Sequence, residues 1–257
     1  MLKVSVRTNI GKMRTVNQDT VFCSTDSVGP LSNLFIVADG MGGHNGGEIA
    51  SQVAINRFCD HIRTSETTAD GVLDLLTSAA HAANLGVLAK AKTDPELAGM
   101  GTTLTACNIN CDDNNNTKCH IIHLGDSRAY VITPDKIEQL THDHSYVNEM
   151  VKAGQLTQNE AREHPKRNVL TKVIGINPEI SADGYIRDIQ PGSIILLCSD
   201  GLYNMVPEDE IKKLIEQNPD EPAKALVSAA NDGGGTDNIS AVVIKIPHYC
   251  DLICRES

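Results

Sequence analysis

The sequence has 257 residues, and its 22 Lys and Arg residues against 33 Asp and Glu residues give a formal net charge of −11. This excess of acid argues against nucleic acid and anionic membranes as partners, because both attract basic surfaces. A hydrophobic fraction of 40% excludes a disordered chain, and the length excludes a mini-protein held by disulfides. Aromatic residues are only 3% of the chain, so a surface for stacking bases or sugars has little to be built from.

The eight cysteines are spread along a chain too long to need disulfide cross-links, which favours buried, reduced thiols. Neither Cys107 with Cys111 nor Cys250 with Cys254 has the spacing of a zinc knuckle. The first residues contain no apolar segment, and no apolar run approaches the length that spans a membrane. We therefore expect a soluble, cytoplasmic protein.

In the first half of the chain, the alternation of Val4 and Val6 with polar neighbours predicts a strand. An apolar run predicts a second strand at 34–38, and helices follow over 48–62 and on the stripe from Val72 to Val87. A polar loop between two strand-like segments then predicts a β-hairpin, with strands at 104–110 and 118–124.

In the second half, apolar runs predict strands at 194–198 and 241–246. Two short helices, with apolar residues at 211–215 and 223–230, lie between them. No linker or internal repeat divides the sequence, so we expect a single domain over residues 1–257. The simplest architecture is an α+β fold in which helix pairs cover a sheet core.

The segment 145–172 departs from this pattern because it is polar and only weakly amphipathic, with a capping box predicted at Thr157 and Glu160. It is expected to be an insertion on the core. Long excursions of this kind are either plain surface loops or flaps over a binding site.

Four aspartates stand at the ends of predicted strands. Asp39, Asp126 and Asp200 each follow an apolar run and adjoin a glycine, and Asp237 precedes the last strand. Any one of them alone would be interpreted as a turn residue or a helix cap. Because the same pattern occurs four times, we expect these side chains to converge on one edge of the sheet core.

Clustered carboxylates require a cation, because two of them about 4 Å apart repel by about 4 kcal/mol at an effective dielectric constant of about 20. Carboxylate and carbonyl oxygens suit a hard ion such as Mg²⁺ or Mn²⁺ better than zinc or copper. At Gly40, the absence of a side chain would let the backbone carbonyl approach such an ion.

The N-terminal segment adds a guanidinium, Arg14, five residues before a further acid, Asp19. Alone, Arg14 would be interpreted as a surface residue or an ion-pair partner. Its planar fork also matches two oxygens of a phosphate group. Beside an oxygen-ligated metal, this combination indicates phosphoryl chemistry.

At these residues the sequence resembles the PPM family, the metal-dependent protein phosphatases of type 2C, in its bacterial form. The likeness covers nearly the whole chain and includes the expected flap boundaries near 141–145 and 164–171. The matching motifs are Gly11…Arg14…Asn17-Gln18-Asp19, Ala38-Asp39-Gly40-Met41-Gly42-Gly43-His44, Gly101-Thr102-Thr103, Leu124-Gly125-Asp126-Ser127-Arg128, Ser199-Asp200-Gly201 and Gly235-Thr236-Asp237-Asn238.

The resemblance implies a four-layer αββα sandwich, in which two antiparallel β-sheets are flanked by pairs of helices. It also implies two Mn²⁺ or Mg²⁺ ions per chain, with a third, looser ion. Asp39 would bridge both principal ions, and Asp200 with Asp237 would hold the first of them. Asp19 and the carbonyl of Gly40 would hold the second. The third ion would be bound by Asp126 together with Asp200.

The implied activity is that of a protein serine/threonine phosphatase, in which a metal-bridging hydroxide attacks phosphorus directly while Arg14 clamps the phosphate. The Cys-x5-Arg loop of cysteine-dependent phosphatases does not occur in the sequence. Many eukaryotic relatives carry a histidine, assigned as the acid for the leaving oxygen, where this chain has Met41. His44 is a candidate replacement; alternatively, it only packs or caps the next helix and a metal-bound water is the acid.

The implied partners are phosphoserine and phosphothreonine proteins and a cognate serine/threonine kinase, and a monomer is expected. One alternative is a pseudophosphatase that binds phosphoproteins without turnover, although the full set of acids speaks against it. Another is nucleotide binding by the glycine-rich run at 40–47. That run lacks both the G-x-G-x-x-G and the P-loop spacing.

Overall fold

A computed structural model of the chain describes residues 2–43, 46–66, 71–111 and 116–247. The strands within these residues are β1 (Lys3–Asn9), β2 (Asp19–Ser24), β3 (Leu34–Met41), β4 (Gly101–Thr102), β5 (Leu104–Cys111), β6 (Thr117–Leu124), β7 (Arg128–Ile132), β8 (Ile137–Gln139), β9 (Asp183–Ile189), β10 (Ile194–Cys198) and β11 (Ile239–Lys245). The helices are α1 (Gly46–Thr64), α2 (Val72–Ala91), α3 (Tyr146–Lys152), α4 (Gln158–Glu163), α5 (Asp200–Tyr203), α6 (Glu208–Gln217) and α7 (Pro222–Asp232).

The strands form two antiparallel sheets. The first sheet has the order β1-β11-β10-β7-β8, and the second has the order β2-β3-β5-β6-β9, with β4 paired to the end of β3. The central strands β3 and β10 are buried on both faces, which explains why each appears in the sequence as a continuous apolar run.

Three clusters of buried apolar side chains separate four layers. Leu34 and Ile36 of β3 face α1 and α2, whereas Phe35 and Val37 on the other face of the strand pack between the two sheets. A third cluster joins the first sheet to α5, α6 and α7. The predicted αββα sandwich is therefore confirmed, with the alternation along each central strand placing its side chains in two different layers.

The predicted stripe of α2 is buried as expected. By length and composition alone, however, α2 is also able to cross a membrane, and it is the one helix of the described residues with this property. The prediction that no apolar stretch approaches membrane-spanning length is therefore wrong. The helix owes its apolar character to packing against α1 and the second sheet, as a core helix does.

The predicted hairpin is formed by β5 and β6, although most of its loop lies outside the described residues. The capping box of Thr157 and Glu160 is present at the start of α4. The sequence patterns missed several strands, among them β9 at the edge of the second sheet. Most side chains of β9 are exposed or half-buried, so it lacks the apolar pattern of a core strand.

The cysteines of the described residues are unpaired where their side chains are described. Cys59, Cys107, Cys119 and Cys198 are buried free thiols, as predicted. Cys23 is exposed, which contradicts the expectation of burial, because β2 is an edge strand of the second sheet. Cys250 and Cys254 lie outside the described residues.

Candidate active site

Asp19 begins β2 and lies directly opposite Asp39 in the antiparallel pair with β3. The hydroxyls of Ser199 and Ser240 each donate a hydrogen bond of 2.7 Å to Oδ2 of Asp19. Its Oδ1 is buried and has no hydrogen-bond partner in the described residues. The first sheet thus supplies the two serines that hold a carboxylate of the second sheet.

Asp39 is fixed through its main chain by the Gly101-Thr102-Thr103 motif. Its N–H donates to Thr103 Oγ1 at 2.8 Å, and its carbonyl accepts from the Thr103 N–H at 2.8 Å and from Thr102 Oγ1 at 2.9 Å. The motif therefore serves to orient Asp39, a role that the sequence pattern alone did not indicate.

Asp200 and Asp237 flank the central strands of the first sheet: Asp200 begins α5 just after β10, and Asp237 lies just before β11. Oδ1 of Asp200 is buried without a hydrogen-bond partner among the described residues, and its Oδ2 accepts from Asn204 at 3.2 Å. Both acids come to the same end of the sandwich as Asp39.

Asp126 lies in the turn after β6. The Tyr203 hydroxyl donates to the main-chain carbonyl of Asp126 at 3.0 Å. The guanidinium of Arg128 stacks 3.6 Å above the Tyr203 ring and pairs with Asp143 at 2.7 Å. These contacts anchor the turn from the side of the first sheet.

Asp19, Asp39, Asp126, Asp200 and Asp237 lie together at this end of the sandwich, and we call them the acid cluster. Burial and repulsion by neighbouring carboxylates raise the pKa values of the first four. Burial is the largest cause throughout, and it raises the pKa of Asp19 to about 6 and that of Asp126 to about 7. After burial, the charges of the other cluster members raise the pKa of Asp39 and of Asp200 well above its ordinary value. The four carboxylates predicted to converge are therefore observed together, and Asp19 joins them. Their proximity produces the electrostatic strain that clustered carboxylates imply.

Among the described residues, no group of three or more His, Cys, Asp or Glu side chains is arranged as a formed metal site. The donor set nevertheless fits a hard divalent cation, because Oδ1 of Asp19 and Oδ1 of Asp200 are buried oxygens without a hydrogen-bond partner in the described chain. Such an ion would relieve both the repulsion among the carboxylates and the unsatisfied oxygens.

Gly40 lies buried in β3 next to Asp39, and its N–H donates to the carbonyl of Gln18 at 3.1 Å. A Cβ atom at this position would lie 2.0 Å from the carbonyl oxygen of Gly47. Glycine is therefore required here for close backbone packing, which allows the start of α1 to approach the acid cluster.

Arg14 contacts the acid cluster directly, since its Nη2 lies 2.8 Å from Oδ2 of Asp237. The side chain of Arg14 is 49% exposed, so the guanidinium stands at the edge of the site where a ligand can reach it. The predicted neighbourhood of Arg14 and the carboxylates is observed.

Asn238 holds the N-terminal segment in this position. Its amide group donates to the carbonyls of Ile10 and Val16 at 2.9 and 3.0 Å, and its Oδ1 accepts from the N–H of Gln18 at 2.8 Å. In the sequence, Asn238 stands out only as part of the motif Gly235-Thr236-Asp237-Asn238. An Asn directly beside the candidate metal ligand Asp237 is the signal that could have indicated this role.

His44 lies outside the described residues, so its candidate role in protonating the leaving oxygen stays a prediction. Met41 ends β3, and its thioether cannot donate a proton.

A family model for protein phosphatase 2C matches residues 11–219, more than half of the chain. The chain belongs to the protein phosphatase 2C family. This confirms the resemblance found in the sequence. Among curated relatives, the protein phosphatase PhpP of Streptococcus pneumoniae is 36% identical over 249 residues, which cover 95% of this chain and 98% of PhpP.

Solved structures of this family superpose over nearly the whole chain. The serine/threonine phosphatase PstP/Ppp of Mycobacterium tuberculosis gives a TM-score of 0.84 at 34% identity, covering 96% of this chain and 99% of that one. The catalytic domain of the serine/threonine protein phosphatase PstP in complex with two manganese ions gives a TM-score of 0.82 at 31% identity, with coverages of 96% and 98%.

Proposed function

We propose that the protein is a metal-dependent serine/threonine phosphatase that hydrolyses phosphoserine and phosphothreonine in proteins. The observation that carries this proposal is the acid cluster, in which five carboxylates adjoin a half-exposed guanidinium. Two of these carboxylates have a buried oxygen without a hydrogen-bond partner among the described residues. Membership of the protein phosphatase 2C family and the serine/threonine phosphatases among its relatives support the same activity.

We assign two Mn²⁺ or Mg²⁺ ions per chain to the acid cluster, with a third, looser ion. Asp39 would be shared by the first two ions. Each set of further ligands follows the family pattern: Asp200 and Asp237 for the first ion, Asp19 and the carbonyl of Gly40 for the second, and Asp126 with Asp200 for the third. The two manganese ions in the PstP catalytic domain support this assignment. When bound, such ions activate water and neutralise charge on the transferring phosphoryl group.

The protein's own groups bind and orient the phosphoryl group. Arg14 offers two parallel N–H donors, which match two phosphate oxygens, and its contact with Asp237 keeps the guanidinium aimed at the cluster. Asn238 fixes the segment that carries Arg14, so the guanidinium is positioned before substrate arrives.

A cysteine nucleophile is not part of the proposal. Cys198 lies two residues before Asp200, but burial raises the pKa of its thiol to about 12, so the thiol stays protonated at neutral pH. The leaving oxygen also needs a proton, and His44 is the side chain that we propose as a candidate donor.

We infer one catalytic domain over residues 1–257, with a flap at 145–172 that meets phosphoprotein substrates. We further infer a monomer that opposes a cognate serine/threonine kinase in the cytoplasm. The free thiols of the described cysteines suit a reducing compartment, and the net charge of −11 supports the absence of nucleic-acid and membrane partners.

The proposal is tested by hydrolysis of a phosphothreonine peptide and of an aryl phosphate, each with Mn²⁺ and with excess chelator. We expect turnover of both substrates with Mn²⁺ and none with chelator. Full turnover in chelator would contradict a metal-dependent mechanism. Binding of the phosphopeptide without turnover in Mn²⁺ would instead support the pseudophosphatase alternative.

A further inference from the structure

His144 joins three parts of the structure that are separate in the sequence. It is 2% exposed and contacts the turn that carries Asp126, the end of the flap segment and the first residue of β9. The mechanism proposed above gives this buried imidazole no task.

The contact with the turn is made twice. The N–H of Gly125 donates to Nδ1 of the His144 ring at 3.1 Å, and the N–H of His144 donates to the carbonyl of Gly125 at 2.7 Å. Gly125 has a φ of +103°, and a Cβ there would lie 2.5 Å from Cγ2 of Thr103. The residue before Asp126 is thus held between Thr103 and His144.

The other edge of the ring faces an ion pair. Nε2 of His144 lies 3.1 Å from Oδ2 of Asp183, and Nζ of Lys172 lies 2.7 Å from Oδ1 of the same carboxylate. Because Nδ1 accepts from Gly125, the neutral ring carries its proton on Nε2, which lies close to Asp183 but has no well-aligned hydrogen-bond partner among the described residues. Stacking on His123, with 4.8 Å between ring centroids, fixes the plane of the ring.

The backbone of His144 also closes the flap segment. The N–H of Thr171 donates to the carbonyl of His144 at 2.8 Å, and Ser145 pairs with Leu170 in an isolated bridge. We call His144, Thr171, Lys172 and Asp183 the flap base. The two ends of the flap therefore meet at the residue that holds Gly125.

We propose that His144 is a positioning residue that sets the place of the Asp126 carboxylate for metal binding and couples it to the flap base. The proposal rests on the assignment of Asp126 to the third ion made above. Groups that orient metal ligands are worth about 10-fold to 100-fold in metal affinity or activity. Here the oriented element is the main chain of the turn, so the acceptor at Nδ1 is the atom that matters.

Two substitutions separate the edges of the ring. In His144→Asn, the amide group reaches the position of Nδ1 and keeps an acceptor for the N–H of Gly125. In His144→Gln, the longer amide reaches the position of Nε2 and keeps the contact with Asp183 but not the acceptor. His144→Ala removes both.

Binding of Mn²⁺ is measured by titration calorimetry, and kcat and KM are measured on an aryl phosphate. We expect His144→Ala and His144→Gln to weaken the loosest Mn²⁺ site by about tenfold and to lower kcat at limiting Mn²⁺, with the tighter sites unchanged. His144→Asn should stay within about threefold of the parent in both. Equal effects of Asn and Gln would overturn the proposal, as would weakening of all Mn²⁺ sites together.

Combining His144→Gln with Asp126→Asn tests whether His144 acts on metal binding through Asp126. If His144 acts through Asp126, then His144→Gln has no further effect on Mn²⁺ binding or kcat in the Asp126→Asn background. Additive losses would contradict the proposal. If Asp126→Asn alone leaves Mn²⁺ binding unchanged, the assignment of Asp126 itself fails. If Asp126→Asn weakens the loosest site and His144→Gln does not, only the positioning role fails.

Discussion

The acid cluster and the flap base both contain carboxylates that are at least partly buried, but their pKa values are shifted in opposite directions. In the acid cluster, burial and like charges raise pKa values, to about 6 for Asp19 and about 7 for Asp126. At the flap base, partial burial opposes the ionisation of Asp183, but the hydrogen bond and charge of Lys172, together with the neighbouring His144 ring, outweigh it and hold its pKa at about 2. The acid cluster thus sets five carboxylates against one half-exposed cation, Arg14, whereas the single carboxylate of the flap base is already paired with Lys172. This difference distinguishes a binding site from a structural ion pair.

The largest effect is expected from Asp39→Asn, because Asp39 is influenced by all four other members of the acid cluster. Loss of a shared metal ligand should lower kcat about a thousandfold on an aryl phosphate with Mn²⁺. In chelator the same variant should melt at the parent temperature or higher, since one repelling carboxylate has been removed.

Asp209→Asn is the matched control. It is the same chemical change at an exposed residue of α6 that lies outside the acid cluster. It should leave kcat unchanged. A kcat near that of the parent in Asp39→Asn would remove Asp39 from the metal centre.

Arg14 is the cation placed against the acid cluster, and its replacement should act on substrate binding. Arg14→Ala is expected to raise KM about tenfold with kcat changed by less than about threefold, as loss of ground-state phosphate binding does. Lys12→Ala, an exposed change two residues away, is the control and should alter neither value. A fall in kcat at constant KM would place the role of Arg14 in the transition state instead.

The pH dependence of stability should differ between the two regions. Asp19 and Asp126 have raised pKa values, so between about pH 4 and pH 7 the folded, metal-free chain binds more protons than the unfolded chain. The free energy of unfolding therefore falls as the pH rises through this window. Asp183, with its lowered pKa, stabilises above about pH 4 and loses this contribution only as the pH falls toward 2.

In chelator, we expect the melting temperature to fall by about 5 °C or more between pH 5 and pH 8. Saturating Mn²⁺ should remove most of this fall in melting temperature, because bound Mn²⁺ neutralises the carboxylates of the acid cluster in place of the protons that they lose as the pH rises. A metal-free melting temperature that is flat or rises over this range would show that the acid cluster is not under electrostatic strain.

The sequence predicted the parts of the site that depend on local pattern. Asp39 lies near the end of β3 and Asp200 lies just after β10, and these strands, buried on both faces, are visible as apolar runs. The flap base could not be predicted in this way, because Asp183 lies on an exposed edge strand and meets His144 only through the pairing of β9 with β6. Contacts of this kind depend on tertiary arrangement, and no periodicity in the sequence encodes them.

The smallest effect is expected from Asp183→Asn, which probes the balanced region. Its side chain is 34% exposed, so solvent screens the pairs with Lys172 and His144, and a contribution of about 1 kcal/mol is the appropriate scale. The melting temperature in chelator at pH 7 should fall by about 2 to 4 °C. Asp188→Asn, an exposed change on the same strand, should leave the melting temperature unchanged.

The sign of the change in melting temperature is the informative part, since removal of a carboxylate from the acid cluster should not lower the metal-free melting temperature. A rise in Asp183→Asn would mean that the two regions share one electrostatic strain and that the flap base is not balanced.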